Sequence, residues 1–318
     1  MAKGHDKASQ APDPAGWVGL NSKYLRITEL RRMRNMFFAS RRVVEGQYAG
    51  RHATSMRGHS VEFNDFRQYM PGDELADIDW KLYGRTDKLF IKLFEHQSDM
   101  TVNLLVDASA SMAYSGIDGS GKRSKYDQAC MLAAAIGFLT TSQQDKVAFA
   151  LAQNGLSNFV RPHGSISHFC QVLREMESAK PAGKSGLSDA LRKMAPLIGR
   201  RGLLIVLSDL LDEPEEVLNA LSVWTHRGSE VILLHVLHAD ELRLPPVAEA
   251  LFIDSETGKR LSTNVGDIRQ AYEQRLSEFL GLWSSNCKGR GIDYKMVSTD
   301  MNYSDALEQY LFQRASMV

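Results

Sequence analysis

The chain has 318 residues, 43% of them hydrophobic and 24% charged, and its 38 Lys and Arg balance 38 Asp and Glu for a net charge of +0. That length supports one large domain or two smaller ones with a sizeable core. The balance gives no global attraction to nucleic acid or acidic lipid. Three scattered cysteines, Cys130, Cys170 and Cys287, argue against a disulfide framework or zinc cluster and fit a reducing cytoplasm.

In chain order, residues 1–20 combine Pro, Ala, Gly and charge without an apolar signal region, which predicts a disordered tail and no secretory leader. Residues 21–45 read as a helical arm, with Leu25, Leu30, Met33, Phe37 and Val44 on one broad face. Residues 23–57 hold nine Lys and Arg against two Glu. A solvated helix face explains that run better than a basic arm for an acidic partner. Residues 46–100 mix short extended stretches (SVEFNDF, KLFIKLFE) with turn signals, which predicts a β-rich front module. Within it Trp80 reads as a packing anchor, and Asp73, Asp77 and Asp79 as turn and pairing residues rather than a second metal site.

From residue 101 the rhythm changes. TVNLLVD, DKVAFALAQ, RGLLIVLSD, SEVILLHVLH and DYKMVST read as strands, and NFVRPH as a short edge strand. Helices are expected at KYDQACMLAAAIGFLTTSQQ, ISHFCQVLREMES, GLSDALRKMAPLIG, PEEVLNALSVWTHRG, residues 267–289 and SDALEQYLFQRA. The stretch ELRLPPVAEALFIDSETGKRL reads as loop with a strand at its end. The strands are continuous apolar runs, the signature of strands covered on both faces. The alternation of β and α over 101–318 predicts an α/β domain with a doubly wound, mostly parallel sheet. Ligands in such sheets bind beyond the carboxyl ends of the strands, where strand order switches. No apolar run reaches the ~20 residues of a membrane span.

Polar residues stand where two of those strands end. TVNLLVD closes on Asp107, followed by Ser109 and Ser111, and LLIVLS closes on Asp209. The loop PAGKSGLSDAL adds Ser185 and Ser188. Oxygen-only ligands suit a hard cation, most naturally Mg²⁺ and also Mn²⁺. Two carboxylates neutralise such an ion while hydroxyls add no charge, so it stays electrophilic and can accept a carboxylate from another molecule.

Asp107-x-Ser109-x-Ser111, the serine loop and Asp209 together resemble the metal-ion-dependent adhesion site of von Willebrand factor A domains. Matching SGLSDAL to that family's Thr-x-x-x-x-Ala-Leu puts its Thr ligand on Ser185, with Ser188 as the alternative. The resemblance implies that Ser109, Ser111 and Ser185 bind the ion directly, with Asp107 and Asp209 acting through water. The front segment narrows the match. Phe63, Arg67, Tyr69, Pro71, Gly72, Asp73, Ile78, Asp79 and Trp80 resemble the hallmark run of domain-of-unknown-function family fifty-eight, which carries a von Willebrand A-like domain. The resemblance covers residues 40–240. It implies a non-enzymatic, metal-dependent interaction domain in the cytoplasm, working with a MoxR-type AAA+ ATPase in assembly or maturation of other proteins and docking a partner's acidic residue.

Competing motifs are weaker. Gly116 to Ser124 misses a P-loop because Arg123 stands where Ser or Thr should reach Mg²⁺. An aspartyl-phosphate mechanism would need an acid at Ser109. The histidines show no zinc spacing, and His235 and His238 read as structural. Asp212 and Glu213 read as the N-terminal charge of the helix that starts at Pro214. The rival from another class is a metal-dependent phosphohydrolase using the same strand-end acids, with Asp212 and Lys122 as the nearby proton-transfer groups.

Overall fold

The computed structural model describes residues 22–30, 61–68, 80–86, 88–96, 100–117, 123–256 and 258–315. Several sequence readings concern residues outside these: the tail, Met33, Phe37 and Val44 of the arm, Asp73, Asp77 and Asp79, and Gly121 and Lys122 of the P-loop-like run. The chain divides into two compact units, one formed by residues 1–44 with 100–318 and the other by 45–99.

In the smaller unit, β1 (Val61–Gln68) pairs antiparallel with β2 (Phe90–His96), with a bulge between Phe63 and Asp65. Between them a short helix spans Trp80–Thr86. Trp80 does not anchor a core: it is 63% exposed, with its ring edge-on to Tyr83.

In the larger unit, β3 (Thr101–Asp107), β4 (Lys146–Ala152), β5 (Leu156–His163), β6 (Gly202–Ser208), β7 (Ser229–Leu237) and β10 (Asp293–Ser298) form one six-stranded sheet in the order β10-β7-β6-β3-β4-β5. Every neighbouring pair is parallel except β4 with β5, which closes one edge antiparallel. This is the doubly wound, mostly parallel α/β sheet the apolar runs predict. Leu104, Val106, Leu203, Ile205 and Ile232 face one core, with helices Lys125–Ser142, Ile166–Ser178 and Tyr303–Ala315. Leu105, Leu204, Val206 and Leu233 face the other, with Leu187–Met194, Pro214–His226, and Trp283 and Cys287 of Val265–Gly289.

The helix Lys125–Ser142 starts where it does because Ser124 and Asp127 cap it reciprocally, Asp127 N–H donating to Ser124 Oγ at 3.0 Å and Ser124 N–H to Asp127 Oδ2 at 3.2 Å. Its Ala-rich sequence carries no polar stripe, so it is buried around nearly its whole girth. The described part of the arm packs on this unit. Tyr24, Leu25 and Leu30 join its core, and Lys23 Nζ reaches Asp127 Oδ1 at 2.8 Å. One segment differs from its sequence reading. Glu249–Ile253 (β8) and Arg260–Asn264 (β9) form an antiparallel hairpin, not a loop with one strand. A turn through Asp254 and Gly258 closes it, the amide of Gly258 donating to the Asp254 carbonyl at 2.8 Å.

Candidate metal centre

The strand order switches between β3 and β6. From β3 the chain crosses to β4 on one side, and from β6 to β7 on the other. Their carboxyl ends diverge there, opening the crevice in which such sheets bind ligands. Asp107 is the last residue of β3, and Asp209 follows β6 directly.

A second strand end brings the serine loop in. At the end of β4, the Asn154 amide donates to the Lys184 carbonyl at 2.6 Å and the Gly155 amide to the Ser185 carbonyl at 3.1 Å. The fit demands glycine. At Gly186, φ is +63° and a Cβ would stand 2.6 Å from the Gly155 nitrogen, closer than backbone tolerates. The other flank is held by the Ala110 amide on the Gly183 carbonyl at 2.9 Å and the Ala182 amide on the Ala108 carbonyl at 3.0 Å. The DASAS turn and the serine loop are thereby laced together through backbone.

The side chains converge on Asp107, which is buried along with Ser109, Ser111, Ser185 and Asp209. Its Oδ1 accepts from the Ser109 amide at 2.9 Å. Its Oδ2 accepts from Ser185 Oγ at 2.9 Å and from Ser208 Oγ at 2.6 Å. Ser109 Oγ and Ser111 Oγ lie 3.0 Å apart. Burial, then the neighbouring Asp209 charge, pushes the Asp107 carboxyl up to about 7, against the Ser208 and Ser109 hydrogen bonds that favour its charged form. Of the two candidate loop serines, the structure brings Ser185 to Asp107. Ser188 Oγ instead donates to Glu216 Oε2 at 3.4 Å.

Asp209 sits in a different environment. Its Oδ2 accepts from Lys125 Nζ at 2.7 Å, and the same ammonium reaches Glu241 Oε1 at 2.6 Å. Lys125 is 1% exposed. Burial works against its charge, and the two carboxylates outweigh burial, so its ammonium is held above the usual lysine range. The Asp209 carbonyl pairs with His235 Nε2 at 2.9 Å, while His235 Nδ1 meets Tyr294 OH at 2.8 Å. Burial pushes that imidazole down to about 4, so it stays neutral and structural. His238 is also buried, at the start of the turn His238–Leu242, where its Nδ1 accepts from the Asp240 amide at 3.1 Å.

Three residues absent from the sequence reading shape this site: Ser208, Lys125 and Glu241. Ser208, the last residue of β6, stands directly before Asp209. It donates to Asp107 and accepts from the Leu210 amide at 3.0 Å, so both its hydrogen-bonding roles are taken. Asp212 also has a direct partner: its Oδ2 accepts from the Leu187 amide at 2.9 Å. It meets the first turn of Leu187–Met194, whose N-cap residue, Gly186, has no side chain to cap with.

The donor set fits a small hard cation. Neighbouring ligands around an octahedral ion at ~2.1 Å stand about 3.0 Å apart, the spacing of the Ser109 and Ser111 hydroxyls. A hydroxyl that gives its proton to Asp107 keeps lone pairs for an ion. Among the described residues no group of three His, Cys, Asp or Glu side chains gathers for a metal, so an ion here would rest on serines as much as on acids.

Comparison with known proteins places the chain. The family model described as protein of unknown function DUF58 matches residues 65–278. Uncharacterised proteins of Mycobacterium bovis and Mycobacterium tuberculosis are each 27% identical over 71% of this chain and 70% of their own length. Similar solved structures include BatB from Bacteroides thetaiotaomicron, at 15% identity and TM-score 0.44 over 68% of this chain and 99% of that one. The VWA domain of Rpn10 aligns at 9% identity and TM-score 0.39 over 66% of this chain and 94% of that one. Among the described residues no helix is long and apolar enough to cross a membrane.

Proposed function

The chain belongs to the DUF58 family, and we propose that in it the strand-end site holds a divalent cation, Mg²⁺ or Mn²⁺, through which the protein docks an acidic side chain of a protein partner. Ser109, Ser111 and Ser185 would hold the ion directly, with Asp107 and Asp209 acting through water. The ion supplies an electrophilic position that a carboxylate can fill. The chain's own residues build that position. Asp107 orients the Ser185 hydroxyl, Ser208 fixes Asp107, and the two laced loops hold the serines in place.

The observation that carries this reading is the pair of buried hydroxyls 3.0 Å apart beside a buried carboxylate that already draws three donors. A folded core gains nothing from such a cluster, since burying polar groups costs free energy that only pairing offsets. The partner is a MoxR-type AAA+ ATPase or its client, and the role is assembly or maturation of other proteins in the cytoplasm. No nucleic-acid partner is proposed.

The proposed role is non-catalytic. The phosphohydrolase alternative needs a proton-transfer group beside the ion, and Asp212 is engaged instead at the Leu187 amide. The test is calorimetric titration of Mg²⁺ and Mn²⁺ into the full chain, paired with co-purification of a MoxR-type ATPase. Asp107→Ala and Ser109→Ala are expected to lose ion binding and partner capture together. Unchanged binding and capture in both variants sinks the proposal, and magnesium-dependent turnover of a generic phosphate ester lost in Asp107→Asn would favour the phosphohydrolase.

A further inference from the structure

Lys125 has no place in a simple oxygen site. It is the first residue of the helix Lys125–Ser142, a position where a lysine ordinarily reaches into water and where the helix dipole disfavours positive charge. Here it turns inward and is 1% exposed. Its ammonium stands 2.7 Å from Asp209 Oδ2 and 2.6 Å from Glu241 Oε1. Glu241 is itself pinned, its Oε2 accepting from the His238 amide at 2.8 Å and its carbonyl from Tyr272 OH at 2.7 Å. The Lys125 amide donates to the Tyr114 carbonyl at 3.1 Å, which ties the helix start to the DASAS turn. Lys125 thus joins the ends of β6 and β7, through its ammonium, to the segment that follows β3, through its amide.

We propose that Lys125 is a tethered cation that competes with a divalent ion for Asp209 and thereby sets how tightly the site holds that ion. This rests on the reading of the site as a divalent-ion centre and deepens it. While Lys125 pairs with Asp209, the remaining unshared carboxylate beside the three serines is Asp107. An ion held by one carboxylate and hydroxyls is bound weakly and stays strongly attractive to a partner's carboxylate. An ion that drew Asp209 fully into its shell would bind more tightly and attract the partner less. Glu241 gives the displaced ammonium a second carboxylate, so Lys125 can release Asp209 without becoming an unpaired buried charge.

The test is a double-mutant cycle read by calorimetric titration of Mn²⁺ alone into the full chain: wild type, Lys125→Met, Asp209→Asn and the double variant. The expected result is about tenfold tighter Mn²⁺ binding in Lys125→Met, the order for removing a unit charge beside a divalent ion in a partly buried site. That gain should vanish in the Asp209→Asn background, because the competition runs through Asp209. Unchanged or weaker binding in Lys125→Met overturns the inference, as does an equal gain with Asp209→Asn. If Lys125→Met does not fold, Glu241→Gln is read instead. It leaves Lys125 with Asp209 alone and should weaken Mn²⁺ binding several-fold, and equal or tighter binding overturns the inference. The outcomes separate the two readings. Binding in Lys125→Met but not in wild type keeps the tethered cation and removes the wild-type ion centre. Binding in wild type that Lys125→Met leaves unchanged does the reverse, and no binding in either removes both.

Discussion

The middles and the tips of β3 and β6 are equally buried and chemically opposite. In the middles, Leu104, Leu105, Ile205 and Val206 pack between two helical layers. At the tips, Asp107, Ser208 and Asp209 are just as far from water. The apolar middles stabilise the fold through area removed from water. The tips cost free energy unless every polar atom finds a partner, and here three donors on Asp107 and one ammonium on Asp209 supply them. The difference teaches that depth alone does not identify core; the partners a buried group keeps show whether it serves the fold or a site.

Substitutions at the two regions should therefore fail for different reasons. The largest effect is expected at Lys125. Lys125→Met leaves Asp209 and Glu241 facing each other without their shared cation, and removing one partner of a buried ion pair costs about 3–5 kcal/mol. Urea unfolding measures it, and added Mn²⁺ should restore part of the loss. A cost under about 1 kcal/mol would mean the ammonium is not the tie between those carboxylates. In the strand middle, Leu105→Ala should cost about 2–5 kcal/mol through lost transfer energy and the cavity left behind, and added ion should restore none of it. Equal rescue of both variants by Mn²⁺ would erase the distinction between middle and tip.

How much of this was legible in the sequence follows from the same contrast. Runs such as LLIVL announce strands covered on both faces because burial on two sides removes alternation. The tip acids were legible because an Asp has no reason to end a core strand. Lys125 was not. A lysine at a helix start reads as solvated, and only the folded chain shows it turned onto Asp209, 84 positions away. Ser208 looked like one more strand residue, since its role depends on Asp107 lying on the adjacent parallel strand. The hairpin at Glu249–Asn264 was half-read because both strands are only five residues long and largely exposed, and RLSTN carries no apolar run. Trp80 misled in the other direction, as a large aromatic that the fold leaves in solvent.

Ser208→Ala sharpens the comparison at smaller scale. It takes away the 2.6 Å donor to Asp107 and the acceptor for the Leu210 amide, and a buried group left unpaired costs about 1–3 kcal/mol. Thermal unfolding and Mn²⁺ titration should both register it. Stability and ion affinity both at wild-type level would show that Ser208 does not orient Asp107.

The smallest effect lies away from the sheet tips, where the arm meets the larger unit. Burial pulls the Asp127 carboxyl upward, but the Lys23 and Ser124 hydrogen bonds outweigh it and hold the group below the usual carboxylate range. A depressed folded value means that the stabilisation is present above the ordinary carboxylate range and is lost as pH falls through the folded value. Lys23 is 63% exposed, so the ion-pair share should be under about 1 kcal/mol. Acid unfolding of Lys23→Ala against wild type measures it. Curves that differ more at pH 7 than at pH 3 are expected, and a difference that grows toward low pH would reverse the assigned sign.

The central claim is that two strand ends and the serine loop gather around one divalent ion. A crystal of the full chain grown with Mn²⁺ and measured at the manganese absorption edge tests it most directly. The account predicts one anomalous peak about 2.2 Å from the hydroxyls of Ser109, Ser111 and Ser185, with Asp107 within reach through water. A well-ordered site at saturating Mn²⁺ with no such peak, or with the ion bound away from these serines, contradicts it.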